Sequence, residues 1–166
     1  IGPGTGQATE PVLKTGCHYL AVELGEHLAA FMQEKFGHYE NFHLVNDDFI
    51  THDFGPQTFD LIFSAATIQW IPEEIAFSKT YDLLKSGGTL AMLLTWSDEK
   101  TENKALYDKI QQAYDEYFRI DTPYTQKFHY ENAANYGYCD FHRLEYPAVR
   151  TLSADEYIAY IGTHCT

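Results

Sequence analysis

Short apolar segments alternate with amphipathic ones over residues 1 to 95, and no other feature of the chain restricts its fold as much. The segment that begins at Phe59 is apolar enough to be a parallel strand covered on both faces. Strands that alternate with helices over short connections predict an open, doubly wound α/β fold with a mostly parallel sheet. The predicted strands are "YLAVE" (19–23), "FHLVN" (42–46), "FDLIFSAA" (59–66) and "TLAMLLT" (89–95).

The helices between these strands begin and end at residues that favour helix termini. The helix that follows residues 19–23 ends at Gly37, and Pro72 with two following glutamates favours the start of the next helix. We expect this later helix to end at the pair Gly87 and Gly88. The apolar stripe predicted for the earlier helix consists of Leu28, Phe31, Met32 and Phe36.

The chain changes character after residue 96, although we expect residues 1–166 to form one domain. Residues 97–140 carry a helical pattern followed by many aromatic residues, which predicts a cap beside a core formed by residues 1–96. In 141–166 we expect an edge strand, because Pro147 cannot donate to an inner ladder, and then a helix. Ser153 and Glu156 have the spacing of a capping box at the start of that helix.

The charge and the cysteines of the chain exclude several partners. Lys and Arg number 11 against 24 Asp and Glu, and the net charge of −13 repels phosphate backbones, so we expect no nucleic-acid partner. No apolar run approaches the ~20 residues that cross a bilayer, so we expect no membrane partner. The three cysteines form no CxxC pair and the histidines show no ligand spacing, which predicts no disulfide and no metal site and fits a cytoplasmic protein.

The chain opens with "IGPGTGQAT", in which three glycines occupy alternate positions. Gly2, Gly4 and Gly6 permit backbone angles closed to other residues and let a bound group approach the main chain. Such a turn before a helix is typical of nucleotide-cofactor sites, and it also occurs as a purely structural turn. Glu23 ends the following strand, where its carboxylate could bind a ribose or lie exposed at a helix start.

Five segments in order resemble the motifs of the class I S-adenosylmethionine-dependent methyltransferases, in particular the small-molecule branch of that family. The glycine turn is similar to the family's first motif, "YLAVELGEHLA" to its second strand and "NDDFITHDF" to its adenine-flanking motif. "FDLIFSAATIQWI" and "LLKSGGTLAMLL" resemble its fourth strand and the approach to its fifth. The resemblance implies a Rossmann-like fold truncated at both ends, because the family's first strand and last antiparallel strand have no counterpart here.

The same resemblance implies S-adenosyl-L-methionine as the cofactor. The glycines would border its methionine part and ribose, and Glu23 would accept hydrogen bonds from the ribose hydroxyls. Asp48 would accept from the adenine amino group, or alternatively only cap a turn. The cofactor-binding residues that the resemblance implies are Gly2, Pro3, Gly4, Gly6, Glu23, Leu24, Asp48, Phe49, Ser64 and Ala65.

The resemblance also implies methyl transfer to a small-molecule acceptor by in-line displacement, in which alignment supplies much of the acceleration. A protein acceptor, a nucleotide-cofactor oxidoreductase and a non-catalytic binding protein with this fold are the alternatives, and the GxGxG spacing counts against the oxidoreductase. The residues assign no catalytic base, and His129 is the candidate. The predicted acceptor-binding residues are Gln69, Trp70, Tyr124 and His129. Alternatively, Gln69 is a surface polar residue, Trp70 is core and His129 is structural. The oligomeric state is left open.

Overall fold

The computed structural model describes residues 1–55, 59–95, 104–117 and 128–162. Strands and helices follow one another up to residue 93 as the sequence predicts, except that the described residues between the strands 42–46 and 59–65 form no helix. The strands are β1 (Tyr19–Glu23), β2 (Phe42–Asn46), β3 (Phe59–Ala65) and β4 (Leu84–Leu93), and the helices are α1 (Thr9–Leu13), α2 (Glu26–Phe36), α3 (Glu73–Leu83), α4 (Lys104–Tyr117) and α5 (Ala154–Ile161). Two 3₁₀ helices span Ile68–Trp70 and Tyr130–Tyr136.

The strands form two parallel pairs. β1 pairs with β2, with Glu23 opposite Asn46 at the carboxyl end, and β3 pairs with β4. Ile1 and Gly2 connect the pairs: the Gly2 N–H donates to the carbonyl of Val22 in β1 at 2.9 Å, and the Ile1 nitrogen donates to the carbonyl of Phe63 in β3 at 2.8 Å. The glycine turn therefore begins between β1 and β3, at their carboxyl ends, and the predicted α/β fold with parallel strands is confirmed.

Two buried clusters hold this arrangement together. Cluster one lies against β3, α3 and the loop after β2, and cluster two lies between α2 and the first strand pair. The buried face of α2 differs from the predicted stripe, because Ala29, Met32 and Phe36 are buried while Leu28 and Phe31 are exposed. The members of cluster one are Val22, Phe49, Phe54, Ile62, Ile68, Ile71, Ala76 and Leu83, and those of cluster two are Leu13, Tyr19, Ala21, Met32, Phe36 and Phe42.

Two predictions about β3 and β4 are wrong in detail. Burial of β3 on both faces is not observed: Ile62 faces cluster one, but Leu61 is 45% exposed, because alternate residues of a strand point to opposite faces. α3 also ends at Leu83, before the glycines, and β4 begins directly after it. The register with β3 is irregular between Leu84 and Thr89, and Gly87 takes a φ of +80° within that irregular stretch.

The chain divides into two compact units, Ile1–Ser97 with Gln126–Cys139, and Asp98–Thr125 with Asp140–Thr166. In the second unit the predicted helices are present as α4 and α5, and the capping box is confirmed: Ser153 Oγ accepts from the Glu156 N–H, and the Glu156 carboxylate accepts from the Ser153 N–H at 2.8 Å. The edge strand predicted for 141–152 is wrong. Pro147 lacks an N–H, and Val149 is 96% exposed, so this segment has no face to bury.

None of the described helices is long and apolar enough to cross a bilayer. The described residues contain no group of three or more His, Cys, Asp or Glu placed to hold a metal ion. Cys17 and Cys139 are exposed free thiols, and Cys165 lies outside the described residues.

Candidate cofactor-binding site

A cleft of about 180 Å³ lies in the first unit at the carboxyl ends of the strands. In open α/β sheets ligands bind in the crevice outside these ends, where the connections leave the sheet. The cleft is lined by the start of the glycine turn, the end of β1, the loop after β2 and the turn after β3. Its lining residues are Ile1, Gly2, Val22, Glu23, Leu24, Asp47, Asp48, Phe49, Ile50, Thr67, Trp70 and Ile71.

All three glycines of the turn have a positive φ, but their surroundings differ. A Cβ at Gly2 would overlap the side chain of Thr67, whose hydroxyl donates to the Gly2 carbonyl at 3.0 Å. A Cβ at Gly6 would overlap the ring of Phe36 in α2. A Cβ at Gly4 would meet no described atom within 4 Å. Gly2 and Gly6 thus serve packing, while Gly4 presents its backbone to open space.

Glu23 fixes the glycine turn to the end of β1. Its carboxylate is buried and accepts hydrogen bonds from the Gly4 N–H at 3.0 Å through Oε2 and from the Gly25 N–H at 3.0 Å through Oε1. An ionised carboxylate has about four acceptor positions, so two backbone donors leave it able to accept further hydrogen bonds. Glu23 is therefore a structural anchor of the turn and an acceptor at the floor of the cleft.

Residues 47–54, which we call the acidic loop, shape the next wall of the cleft. Asp47 Oδ1 accepts from the Asp48 N–H at 2.8 Å, and its Oδ2 pairs with His52 Nδ1 at 2.8 Å. These hydrogen bonds, His52 first, hold the pKa of Asp47 below its usual value. Asp48 Oδ1 accepts from the Ile50 N–H at 2.8 Å, so the turn-capping role considered from the sequence is present.

The acidic loop keeps one acceptor and one donor beside the cleft. Asp48 Oδ2 and the Phe49 N–H make no hydrogen bond to any residue that the structure describes, and both residues line the cleft. The Phe49 ring is buried and packs on Phe54 with 5.6 Å between ring centroids, which fixes the position of its backbone. Turn capping by one oxygen therefore leaves the other oxygen of Asp48 for a ligand.

Two large apolar side chains lie at the mouth of the cleft. Leu24 is 70% exposed and Trp70 is 60% exposed, although both line it. Exposed apolar surface beside polar groups is typical of ligand-binding grooves. Trp70 thus belongs to the cleft rather than to the core, the alternative that the sequence left open.

The structure brings together only part of the predicted set. Gly2, Glu23, Leu24, Asp48, Phe49 and Trp70 line the cleft, whereas Pro3, Gly4, Gly6, Ser64, Ala65, Gln69 and His129 do not. Ser64 is fully buried beside Ile62 on β3, and its Oγ has no hydrogen-bond partner among the described residues. His129 is exposed and its N–H donates to Glu73 at 3.0 Å. Tyr124 lies outside the described residues.

Sequence reasoning missed several lining residues, of which Thr67 is the most informative. Thr67 follows Ala66, a non-glycine residue with a φ of +56°, and its hydroxyl binds the glycine turn 65 positions earlier in the chain. Nothing in the local sequence signals such a long-range contact. Asp47 could have been found, because it stands beside Asp48 at the end of β2.

The parallel strand pairs and the cleft at their carboxyl ends define a doubly wound α/β domain. The family model described as "Methyltransferase domain" matches residues 1–92, more than half of the chain. The chain belongs to this family.

The chain is similar to parts of longer methyltransferases. Ribosomal RNA small subunit methyltransferase A of Synechococcus sp. (strain JA-3-3Ab) is 44% identical over 57 residues, 34% of this chain and 20% of that protein. Malonyl-acyl-carrier-protein O-methyltransferase 1 of Ilyobacter polytropus is 30% identical over 95 residues, 55% of this chain and 35% of that protein. The chain thus spans about a fifth of the ribosomal RNA methyltransferases that it matches.

Solved structures give the same fold. Glycopeptide N-methyltransferase MtfA complexed with S-adenosyl-L-methionine aligns with a TM-score of 0.52 and 21% identity over 61% of this chain and 48% of that chain. The CcbJ methyltransferase from Streptomyces caelestis aligns with a TM-score of 0.50 and 24% identity over 55% of this chain and 39% of that chain. At these identities the likeness shows the fold alone.

Proposed function

We propose that this chain forms the cofactor-binding part of an S-adenosyl-L-methionine-dependent methyltransferase. One observation carries the proposal: three polar groups line one cleft at the carboxyl ends of two neighbouring parallel strands. They are the Glu23 carboxylate, the acceptor Asp48 Oδ2 and the donor Phe49 N–H. A ribose offers two hydroxyl donors, and the edge of adenine offers an amino donor beside a ring-nitrogen acceptor. Membership of the methyltransferase family and the MtfA complex support this choice of nucleoside cofactor.

The residues present fit this cofactor. The cleft, at about 180 Å³, is smaller than the roughly 300 to 1,000 Å³ of sites that enclose whole drug-sized ligands, so it suits the nucleoside part alone. The methionine part would lie along the glycine turn, where Gly4 has open space above its backbone. Gly6 would shape the turn without contacting the cofactor, while Gly2, which lines the cleft, would border the nucleoside.

When bound, this cofactor supplies an activated methyl group on a positively charged sulfur. Glu23 and Asp48 would orient the nucleoside, and the exposed side chains of Leu24 and Trp70 would exclude water from the adenine faces. The carboxylates of Glu23, Asp47 and Asp48 give the cleft a negative potential that favours a cationic cofactor over its neutral demethylated product. The chain's contribution to methyl transfer is then alignment, which in-line displacement chiefly requires.

We further infer a small-molecule acceptor. A net charge of −13 disfavours RNA, and the described residues that line the cleft include no histidine. An amine or an already ionised acceptor needs no such base, whereas a hydroxyl acceptor does. His129, Gln69 and Trp70 keep their predicted acceptor roles as part of this proposal, with His129 placed on the N-terminal side of the 3₁₀ helix Tyr130–Tyr136.

Calorimetric titration of the full chain with S-adenosyl-L-homocysteine tests the cofactor assignment, with the wild type compared to the variant Asp48→Asn. This substitution keeps the oxygen that caps the Ile50 turn and turns the free oxygen into a donor, which would face the adenine amino group. We expect a micromolar Kd for the wild type and about tenfold weaker binding for the variant, since an unpaired polar contact costs roughly 1 to 3 kcal/mol. Asp53→Asn is the matched control, because Asp53 caps the Gly55 N–H in the same way outside the cleft.

Failure of the folded wild type to bind S-adenosyl-L-homocysteine would overturn the assignment, and tight binding of NAD in its place would favour an oxidoreductase. Binding without methyl transfer to any acceptor in a screen of amines, carboxylates and phenols would favour the non-catalytic alternative. Transfer of labelled methyl to a small amine would support the proposed activity.

A further inference from the structure

Lys79, on the second turn of α3, reaches across to the acidic loop. Its Nζ donates to the carbonyl of Ile50 at 3.0 Å and to the carbonyl of His52 at 2.6 Å. The same ammonium lies 5.3 Å from the ring centroid of Phe49 and 5.2 Å from that of Phe54. A single side chain therefore contacts the loop at four positions, two through hydrogen bonds and two through aromatic faces.

These contacts replace water around a half-buried charge. Withdrawing an ammonium from water is expensive unless carbonyl oxygens or aromatic faces take its place, and here both do. The loop is stabilised as well, because two of its backbone carbonyls, which belong to no helix or strand, accept hydrogen bonds from Lys79. The acidic loop contains neither of these regular elements, so the contacts of Lys79 and the Asp47–His52 pair add to the few backbone hydrogen bonds that hold its shape.

We propose that Lys79 is a positioning residue that holds the acidic loop in the shape in which Asp48 Oδ2 and the Phe49 N–H meet the cofactor. Lys79 does not line the cleft and acts only through the loop. The inference rests on the proposed function and deepens it, since it identifies which residue outside the cleft sets the adenine contacts.

Lys79→Met tests this proposal, because methionine keeps the apolar stem against the rings and removes the charge and the donors. We expect about tenfold weaker binding of S-adenosyl-L-homocysteine on the full chain, corresponding to roughly 1.4 kcal/mol. Lys79→Arg restores a cation with donors and should recover most of the affinity. Lys85→Met is the control: it removes an exposed cation of the same unit that pairs with Asp60 on the surface, and should change the Kd by less than about twofold.

A double-mutant cycle separates positioning from general destabilisation. If Lys79 acts by presenting Asp48 and Phe49, then Lys79→Met should add clearly less than its own tenfold loss to the loss already caused by Asp48→Asn, because one of the two contacts is already gone. A full further tenfold loss in the Asp48→Asn background would overturn the proposal, because independent effects on folding multiply. Binding by Lys79→Met with the affinity of the wild type would overturn it too.

Hydrogen exchange without ligand distinguishes failure of this inference from failure of the proposed function. The N–H groups of Thr51 and His52 donate to the Asp48 carbonyl at 3.1 and 2.8 Å, and Lys79→Met should speed their exchange while Lys85→Met does not. If the wild type binds no S-adenosyl-L-homocysteine but Lys79→Met speeds exchange in the loop, the cofactor assignment fails and the role of Lys79 in holding the loop stands. If the wild type binds and Lys79→Met leaves exchange unchanged, the proposed role of Lys79 is overturned.

Discussion

The three glycines of the opening turn are required for different reasons. A Cβ at Gly6 would overlap the Phe36 ring and lie 2.8 Å from Met32 Sδ, both in the buried cluster two, and φ there is +79°. Overpacking costs about 1 to 3 kcal/mol, and a left-handed backbone costs a non-glycine residue about 1 to 2 kcal/mol. We predict that Gly6→Ala lowers the free energy of unfolding by about 2 to 4 kcal/mol in urea denaturation.

Gly4→Ala is the matched variant, because Gly4 has a similar φ of +58° without the overlap. Its cost in unfolding free energy should be nearer to 1 kcal/mol, but it should weaken S-adenosyl-L-homocysteine binding more than Gly6→Ala does in the folded state. A larger loss of stability from Gly4→Ala than from Gly6→Ala would contradict this division of roles.

Tyr19 predicts how the chain responds to alkaline pH. Its phenol is buried and shares a hydrogen bond of 2.9 Å with Thr9 Oγ1, and burial raises the pKa of Tyr19 above its ordinary value of 10.0. The unfolded chain therefore releases this proton at a lower pH than the folded chain. The stabilisation is complete below about pH 10 and is lost as the pH rises through the folded pKa.

Tyr19→Phe should accordingly flatten the decline of unfolding free energy between about pH 9.5 and 11, measured by urea denaturation at a series of pH values. Part of the decline should remain, because burial also raises the pKa of Tyr138. An alkaline decline of unchanged steepness in Tyr19→Phe would show that Tyr19 does not contribute to it.

At the residue scale, the sequence could place the acidic side chains that end or follow apolar strands, but it could not say which face of a strand meets a ligand. Glu23 and Asp48 follow apolar segments, and parallel strands bring their carboxyl ends to one edge, so their meeting in one cleft is predictable. The resemblance implies that Ser64 lines the same site through its backbone; its side chain is buried, and this backbone role stays a prediction. The alternation of side chains along a strand tells which residues share a face, but it does not tell which face a ligand approaches.

At the scale of elements, Glu73 attaches the aromatic segment 128–139 to α3. Its carboxylate accepts from Asn132 Nδ2 at 2.7 Å and from the His129 N–H at 3.0 Å. Further along the helix, the Phe77 ring packs against Phe128 with 5.0 Å between centroids. The segment predicted to be part of a cap is therefore bound along α3, and most of its aromatic side chains serve packing.

Glu73→Ala should lower the free energy of unfolding by about 1.5 to 3 kcal/mol, because it removes an ionised acceptor that holds two donors. Glu74→Ala is the matched control, because the Glu74 side chain is next along the helix and exposed. The free energy of unfolding of this variant should stay within about 0.5 kcal/mol of the wild type. Chemical denaturation followed by tyrosine fluorescence measures both variants. Equal effects of the two substitutions would show that the observed hydrogen bonds do not stabilise the segment.

Elements with a strong local signal were predicted well and elements that depend on distant partners were not. β1 and β2 occupy the predicted residues, and the capping box of α5 was read from Ser153 and Glu156. The strand expected at 141–152 has suitable residues, but a strand needs a neighbouring edge, which local sequence cannot supply. The early end of α3 at Leu83 likewise reflects pairing of Leu84 with Phe59 rather than any helix-stop residue.

At the scale of the whole chain, charge distinguishes between the acceptors that the relatives suggest. Ribosomal RNA methyltransferases match about a third of this chain, yet its 24 acidic and 11 basic residues give a field that repels a polyanion. Two proteins that share a cofactor-binding fold can be this similar over a short segment while the surfaces that select their acceptors differ. The field therefore carries more weight for the acceptor than the local identity does.

We predict that the chain neither binds nor methylates ribosomal RNA, tested by filter binding with a labelled fragment and by transfer of labelled methyl. A protein that neutralises phosphates gains affinity as salt is lowered, with a log-log slope of about −0.7 to −0.9 per phosphate contact. A net charge of −13 should instead give no binding at low salt, because repulsion grows as screening is removed. An RNA affinity on the filter that increases with this slope as the salt is lowered from about 200 to 50 mM would contradict the prediction. RNA would then be the acceptor to pursue.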